Sequence, residues 1–144
     1  MNFLLDTCVV SELVSKRPDP GVVRWIDNVD PDRAHLSVVT IGEVKKGIEK
    51  LRSPERKDAL ESWLQDELLV RFRERLVVLD VGVLLEWGRL IARLEGQGAP
   101  MPAMDSLIAA TALQGHFVLV TRNEADFQRA GVQLLNPWLG SHDT

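Results

Sequence analysis

Short apolar runs, each halted by a polar residue and followed by an amphipathic stretch, constrain this chain more than any other feature. Phe3-Leu4-Leu5 opens the pattern and Asp6 stops it. The runs His35 to Val39, Leu76 to Leu79, Phe117 to Val120 and Val132 to Leu135 repeat it, separated by residues with helical apolar spacing. A continuous apolar run this short suits a strand covered on both faces, and strands alternating with helices imply parallel pairing through crossovers. The expected fold class is α/β, a single doubly wound parallel sheet flanked by helices. In such a sheet the strand-to-helix junctions share one edge, where diverging loops leave a crevice for ligands.

The intervening helices announce their own boundaries. Val9, Val10, Leu13 and Val14 form the first stripe, which Pro18 and Pro20 end. Asp19-Pro20 restarts the helix with an N-cap Asp and a Pro at the first helical position, and Val22, Val23, Ile26 and Val29 form its apolar side. Thr40-Ile41-Gly42-Glu43 reads as a capping box, with Glu43 in the first turn of the next helix. Ser53-Pro54-Glu55 starts a helix expected to reach Phe72, with Ala59, Leu60, Trp63, Leu64 and Leu68 inward. Val83, Leu84, Trp87, Leu90, Ile91 and Leu94 mark another. The turn-rich Gly96 to Pro102 separates it from an Ala-rich helix starting at Ala103, and Ala125 to Arg129 forms a short helix. Residues 1–139 are expected to be one domain and 140–144 a polar tail.

Composition removes several function classes. With a net charge of -4 over 144 residues, nucleic acid is not gripped through bulk positive charge. Cys8 is the lone cysteine, which excludes an internal disulfide and a thiolate zinc site, and a reducing cytoplasm is the simplest home. The apolar start is broken by Asp6 and carries no early Lys or Arg, unlike a signal peptide. No apolar run is long enough to span a membrane.

The chemistry lies in four acids. Asp6 follows the first strand, Glu43 the second, Asp105 opens the Ala-rich helix, and Asp126 follows the fourth strand. Each alone has a structural explanation as a helix cap or a partner of the helix dipole. Together they would repel one another and raise one another's pKa, a cost that a divalent cation removes. His35, His116 and His142 are solitary, so the donor set is all oxygen and suits Mg²⁺ or Mn²⁺ rather than Zn²⁺. Such an ion polarises a phosphate ester and activates water, which points to phosphodiester hydrolysis. The chain has neither a Gly-x-Ser-x-Gly elbow nor a Walker-type loop.

Leu4-Leu5-Asp6-Thr7, Thr40-Ile41-Gly42-Glu43, Asp105-Ser106-Leu107-Ile108-Ala109-Ala110-Thr111-Ala112, Val120-Thr121-Arg122-Asn123-Glu124-Ala125-Asp126-Phe127 and Asn136-Pro137-Trp138 together resemble PIN-domain ribonucleases, most closely the VapC/FitB-like toxins of toxin–antitoxin pairs. The resemblance runs from Met1 to Trp138. It implies a Mg²⁺- or Mn²⁺-dependent endoribonuclease acting on RNA, a DNA-binding antitoxin partner, and homodimer or hetero-oligomer assembly. By position, Asp6, Glu43 and Asp105 correspond to the first three metal-site acids. The fourth falls at Asn123 or at Asp126 in different relatives; Asp126 is expected to fill it here, with Asn123 positioning water or an acid. Thr7 and Thr121 look like groups that orient the acids, a role equally open to simple helix caps.

Arg122 is the cation best placed for RNA phosphates, while Lys45, Lys46 and Lys50 read as a solvated helix face. Trp25, Trp63 and Trp87 fall in apolar stripes and give no stacking platform. The first two helices and the Ser53–Phe72 helix are the candidate surfaces for a second copy or an antitoxin segment. Two other readings stand beside the nuclease. One is a non-catalytic module whose acidic cleft captures a partner's arginine. The other is a haloacid-dehalogenase-like phosphatase, which needs a second Asp where this chain has Cys8.

Overall fold

The computed structural model describes residues 1–140, with side chains through Trp138. Five parallel strands form one sheet in the order β3-β2-β1-β4-β5: β1 (Phe3–Leu5), β2 (Ala34–Ser37), β3 (Leu76–Val77), β4 (Val118–Val120) and β5 (Leu134–Leu135). β1 is central, with Phe3 opposite both Ala34 and Val118. The helices are α1 (Thr7–Glu12), α2 (Pro20–Asn28), α3 (Val38–Glu49), α4 (Pro54–Trp63), α5 (Leu69–Arg71), α6 (Val81–Gly96), α7 (Ala103–Gly115), α8 (Glu124–Gln128) and α9 (Pro137–Gly140). Of the expected polar tail, Gly140 closes α9; the remainder, like His142, lies outside the described residues.

The apolar runs are continuous because both faces of the sheet are covered. Leu4 and Leu119 point into one core, with Val83, Leu90 and Leu94 of α6 and Ile108 of α7. Their neighbours Leu5 and Val120 point into the other, with Val9, Val22, Ile48, Leu64, Leu68 and Phe72. Each of these side chains is at most 3% exposed. Alternation along a strand thus sends successive residues to different cores rather than to core and water.

Several boundaries depart from the pattern expected of the sequence. β2 ends at Ser37, whose hydroxyl accepts the Val39 N–H at 3.0 Å and caps α3. The helix therefore begins before Thr40, Thr40 is a buried residue inside it, and Glu43 stands in the second turn rather than in a capping box. β3 and β5 are shorter than their apolar runs because only those residues find partners. Val23 and Leu84, expected in buried stripes, are exposed.

The Ser53–Phe72 helix is also not one regular α-helix. α4 passes through a π-helical turn at Leu64–Leu68 before α5. Leu64, Leu68 and Phe72 are all buried at a spacing of four, which on an α-helix drifts by roughly 40° per step. A wider turn keeps all three facing the sheet. Phe72 is then clamped by Arg71 and Arg75, whose guanidinium carbons lie 5.3 and 5.4 Å from its ring centre. Among the described residues no helix is long and apolar enough to cross a membrane.

Candidate active site

All five strands being parallel, their carboxyl ends and the helices that follow present one edge. Asp6 sits there at the end of β1, only 5% exposed, its backbone N–H donating to Val120 O at 2.9 Å. Burying a carboxylate is costly unless donors surround it. Asp6 Oδ1 accepts the Thr7 N–H at 2.8 Å, so it does cap α1. Asp6 Oδ2 accepts the Thr121 hydroxyl at 2.8 Å, and the Cys8 thiol donates to the same oxygen at 3.7 Å. Thr121 in turn accepts the Asn123 N–H at 3.0 Å. The loop after β4 is thereby fastened to the loop after β1.

A second tie runs to α3. Thr7 Oγ1 donates to Glu43 Oε1 at 2.6 Å and lies 3.3 Å from the buried Thr40 hydroxyl. Glu43 is thus fixed toward Asp6 by the residue that follows Asp6 in the chain. The hydroxyls of Thr7 and Thr121 thus each touch one of the four acids. The capping role of Asp6 accompanies them rather than replacing them.

Asp105 lies half-buried in the first turn of α7, and its carboxylate makes no hydrogen bond or ion pair among the described residues. Burial pushes its pKa above the usual aspartate range, and the charges of Asp6, Glu43 and Asp126 push it further the same way. Asp105 therefore lies within electrostatic reach of the other three acids at this edge. Pro102 contributes no side-chain cap to α7. Instead Trp87 Nε1 of α6 donates to Ser106 Oγ at 2.9 Å, and Ser106 donates to Ala103 O at 2.7 Å, holding the turn that carries Asp105.

Asp126 is exposed in the first turn of α8, and Asn123 precedes that helix without capping it through its side chain. Arg122 is exposed beside them, its guanidinium carbon 5.1 Å from the centre of the Trp138 ring. Lys45 is turned away from the acids, its ammonium 2.7 Å from Glu61 and 3.3 Å from Glu49, which raises its pKa and lowers that of Glu61. It braces α3 against α4. His35 is likewise structural, bonded through Nδ1 to Arg33 O at 3.1 Å and packed against Phe117.

The donor set at this edge is carboxylate and hydroxyl oxygen, which fits a hard divalent cation. Among the described residues no three His, Cys, Asp or Glu side chains are drawn together into a finished cation cage.

Three neighbours of the site escape a sequence reading. Cys8 looks like a solitary thiol, yet it bridges Asp6 and Thr121, whose hydroxyl is 3.6 Å from its sulfur. Burial pushes its pKa up, with the Asp6 charge adding to the rise while the Arg122 backbone N–H and the Thr121 hydroxyl oppose it, so the donor stays protonated. Ser106 and Trp138 fall within the resembling motifs, but no spacing in the sequence names their partners. Their partners, Trp87 and Arg122, are 19 and 16 residues away in a chain that only the fold brings back.

The sequence pattern of the PIN domain family matches residues 3–133. The chain is 31% identical to VapC ribonuclease Y4jK of Sinorhizobium fredii, over 94% of this chain and 97% of that one. It is 32% identical to toxin FitB of Neisseria gonorrhoeae, over 94% and 98% of the two chains. Among solved structures, that of FitAB bound to the IR36 DNA fragment superposes with a TM-score of 0.89 at 31% identity, covering 94% of this chain and 95% of that chain.

Proposed function

The chain belongs to the PIN domain family, and on that premise we propose that it is a Mg²⁺- or Mn²⁺-dependent endoribonuclease, the toxin of a toxin–antitoxin pair. The observation that carries the reading is the placement of Asp6, Glu43, Asp105 and Asp126 along one sheet edge, where burial and then the charges of the other three raise the pKa of Asp105. The names of the relatives, a ribonuclease and a toxin, support the same class of activity.

In this mechanism Asp6, Glu43, Asp105 and Asp126 would hold the cation, which would supply Lewis-acid polarisation of the phosphodiester and activation of water. Thr121 and Cys8 keep Asp6 Oδ2 fixed, and Thr7 keeps Glu43 facing it. Because the carboxylates of Asp6 and Glu43 are oriented before substrate arrives, less of the reaction barrier is spent on ordering the site. Burial, with the charges of Asp6, Glu43 and Asp126 adding to it, makes Asp105 hold its proton more tightly than an ordinary aspartate. Asn123, on the loop secured by Thr121, positions water or the scissile phosphate.

An antitoxin segment has a natural seat in the cavities among the first four helices. One, of about 370 Å³, is lined by Leu13, Val23, Ile26, Trp63 and Leu68. Its neighbour, of about 250 Å³, shares Trp63 and opens beside Thr7 and Glu43. Exposed Val23 lies in the first of these, where a partner would cover it.

Incubation of the purified chain with total RNA tests the activity. Cleavage is expected with Mg²⁺ or Mn²⁺, absent in EDTA, and absent in Asp6→Asn and Asp105→Asn variants that retain the wild-type circular dichroism spectrum. Metal-independent cleavage, or full activity in either variant, overturns the assignment. Calorimetric titration of the partner-free chain with Mn²⁺ separates a nuclease from an acidic cleft that only captures a partner, since the latter binds no metal.

A further inference from the structure

An edge bearing four carboxylates repels a polyanion, so a strand of RNA laid across it needs fixed positive charge close by. Lys45 is spent on Glu61 and Glu49. Arg122 is differently placed: it follows Thr121, whose hydroxyl touches Asp6, and it forms no ion pair with a carboxylate among the described residues. Its guanidinium carbon lies over the Trp138 ring, 5.1 Å from the centroid. The backbone that carries the ring is itself anchored. The Trp138 backbone N–H donates to Asn136 Oδ1 at 3.0 Å, and Asn136 Nδ2 donates to Glu124 Oε2 at 3.1 Å, in the first turn of α8. The segment after β5 is thereby fastened to the segment after β4.

Stacking occupies the face of a guanidinium and leaves its N–H donors, which lie in the plane, for a bidentate acceptor. Phosphate oxygens match that fork, and an arginine restrained by a ring loses less side-chain freedom when it binds. We infer that Arg122, held against Trp138, forms a phosphate subsite that grips the RNA strand beside the acidic edge. The subsite rests on the nuclease reading above and gives it a substrate contact. Trp138 is the positioning residue and Arg122 the contact.

The test uses the whole chain carrying Asp105→Asn, in Mg²⁺, with a fluorescent single-stranded oligoribonucleotide of mixed sequence, titrated across a range of salt concentrations. Adding Arg122→Gln is expected to weaken binding about tenfold, and to reduce the slope of log K against log salt by about 0.7, the value for one phosphate contact on a single strand. Arg122→Lys is expected to keep the slope but not the affinity. Trp138→Leu is expected to weaken binding alone, and to add nothing once Arg122 is already Gln, because it acts through that side chain. If Arg122→Gln leaves both affinity and slope unchanged, the subsite is wrong while the nuclease reading stands. If Trp138→Leu weakens binding equally with and without Arg122, the positioning role is wrong. If the wild-type chain in Mg²⁺ neither binds nor cleaves the oligoribonucleotide, the nuclease reading itself fails.

Discussion

Replacing Thr121 with valine removes one hydroxyl and leaves the side-chain volume close to its original value. Thr121 is fully buried, and its hydroxyl donates at 2.8 Å to Asp6 Oδ2, which is itself only 5% exposed. A hydrogen bond to a charged group is worth about 1.5–3 kcal/mol. The Asn123 N–H also loses its acceptor, but Asn123 is exposed and water replaces most of that bond. Asp6 keeps the Thr7 N–H and the Cys8 thiol. The expected loss is about 2 kcal/mol, or roughly 6 °C in Tm for a domain of this size. Thr121→Ser is the control: it keeps the hydroxyl and gives up one buried methyl, at about 0.8 kcal/mol. Urea denaturation in EDTA measures both. On an Asp6→Asn background the valine substitution is expected to cost about 1 kcal/mol, the ordinary value for a neutral bond. Mn²⁺ affinity of the valine variant is expected to fall about 10–100-fold, as it does when the group orienting a ligand is lost. A valine variant as stable as the serine one would refute the reasoning, since Thr121 would then matter for its packing and not for its bond to Asp6.

Asp105→Asn removes a charge that burial and three acidic neighbours disfavour, so the metal-free variant is expected to unfold at a higher temperature than wild type. A carboxyl whose folded pKa is raised favours the fold below the usual aspartate range and loses that contribution as pH rises through the folded value. The stability gap in EDTA, small in acid, should therefore widen toward neutral pH; a gap independent of pH would count against the coupling. Trp87→Phe keeps most of the ring and drops the bond to Ser106, with an expected cost of about 1 kcal/mol by denaturant titration and slower cleavage through a loosened Asp105. His116 closes α7 at φ 55, the left-handed position that favours glycine, so His116→Gly is expected to stabilise by about 1 kcal/mol without changing cleavage. A destabilised glycine variant would show that the contacts of the imidazole outweigh backbone strain.

Much of the fold can be read from local pattern. The runs around Leu4-Leu5 and Leu119-Val120 are continuous because both faces of a parallel sheet are covered, and Asp19-Pro20 and Ser53-Pro54 start helices as their capping chemistry dictates. The start of the third helix is not written in local pattern, because Ser37 and Thr40 are both competent N-caps. Only the length of strand that β1 and β3 can pair with chooses Ser37. The π-helical turn is invisible for a similar reason. Leu64, Leu68 and Phe72 look like an ordinary apolar stripe until all three must face one sheet.

The sequence alone determined the residue chemistry: an all-oxygen set of acids after successive strands, too few cysteines and histidines for a softer metal site, and a family pattern running nearly end to end. Tertiary structure alone decided which hydroxyl holds which carboxylate, that Cys8 touches Asp6 while Lys45 pairs with Glu61, and that Arg122 rests on Trp138. The division has a physical cause. Strand and helix preferences act over a few residues and are written in local spacing, whereas each of those contacts joins segments that become neighbours only when the parallel strands align their carboxyl ends.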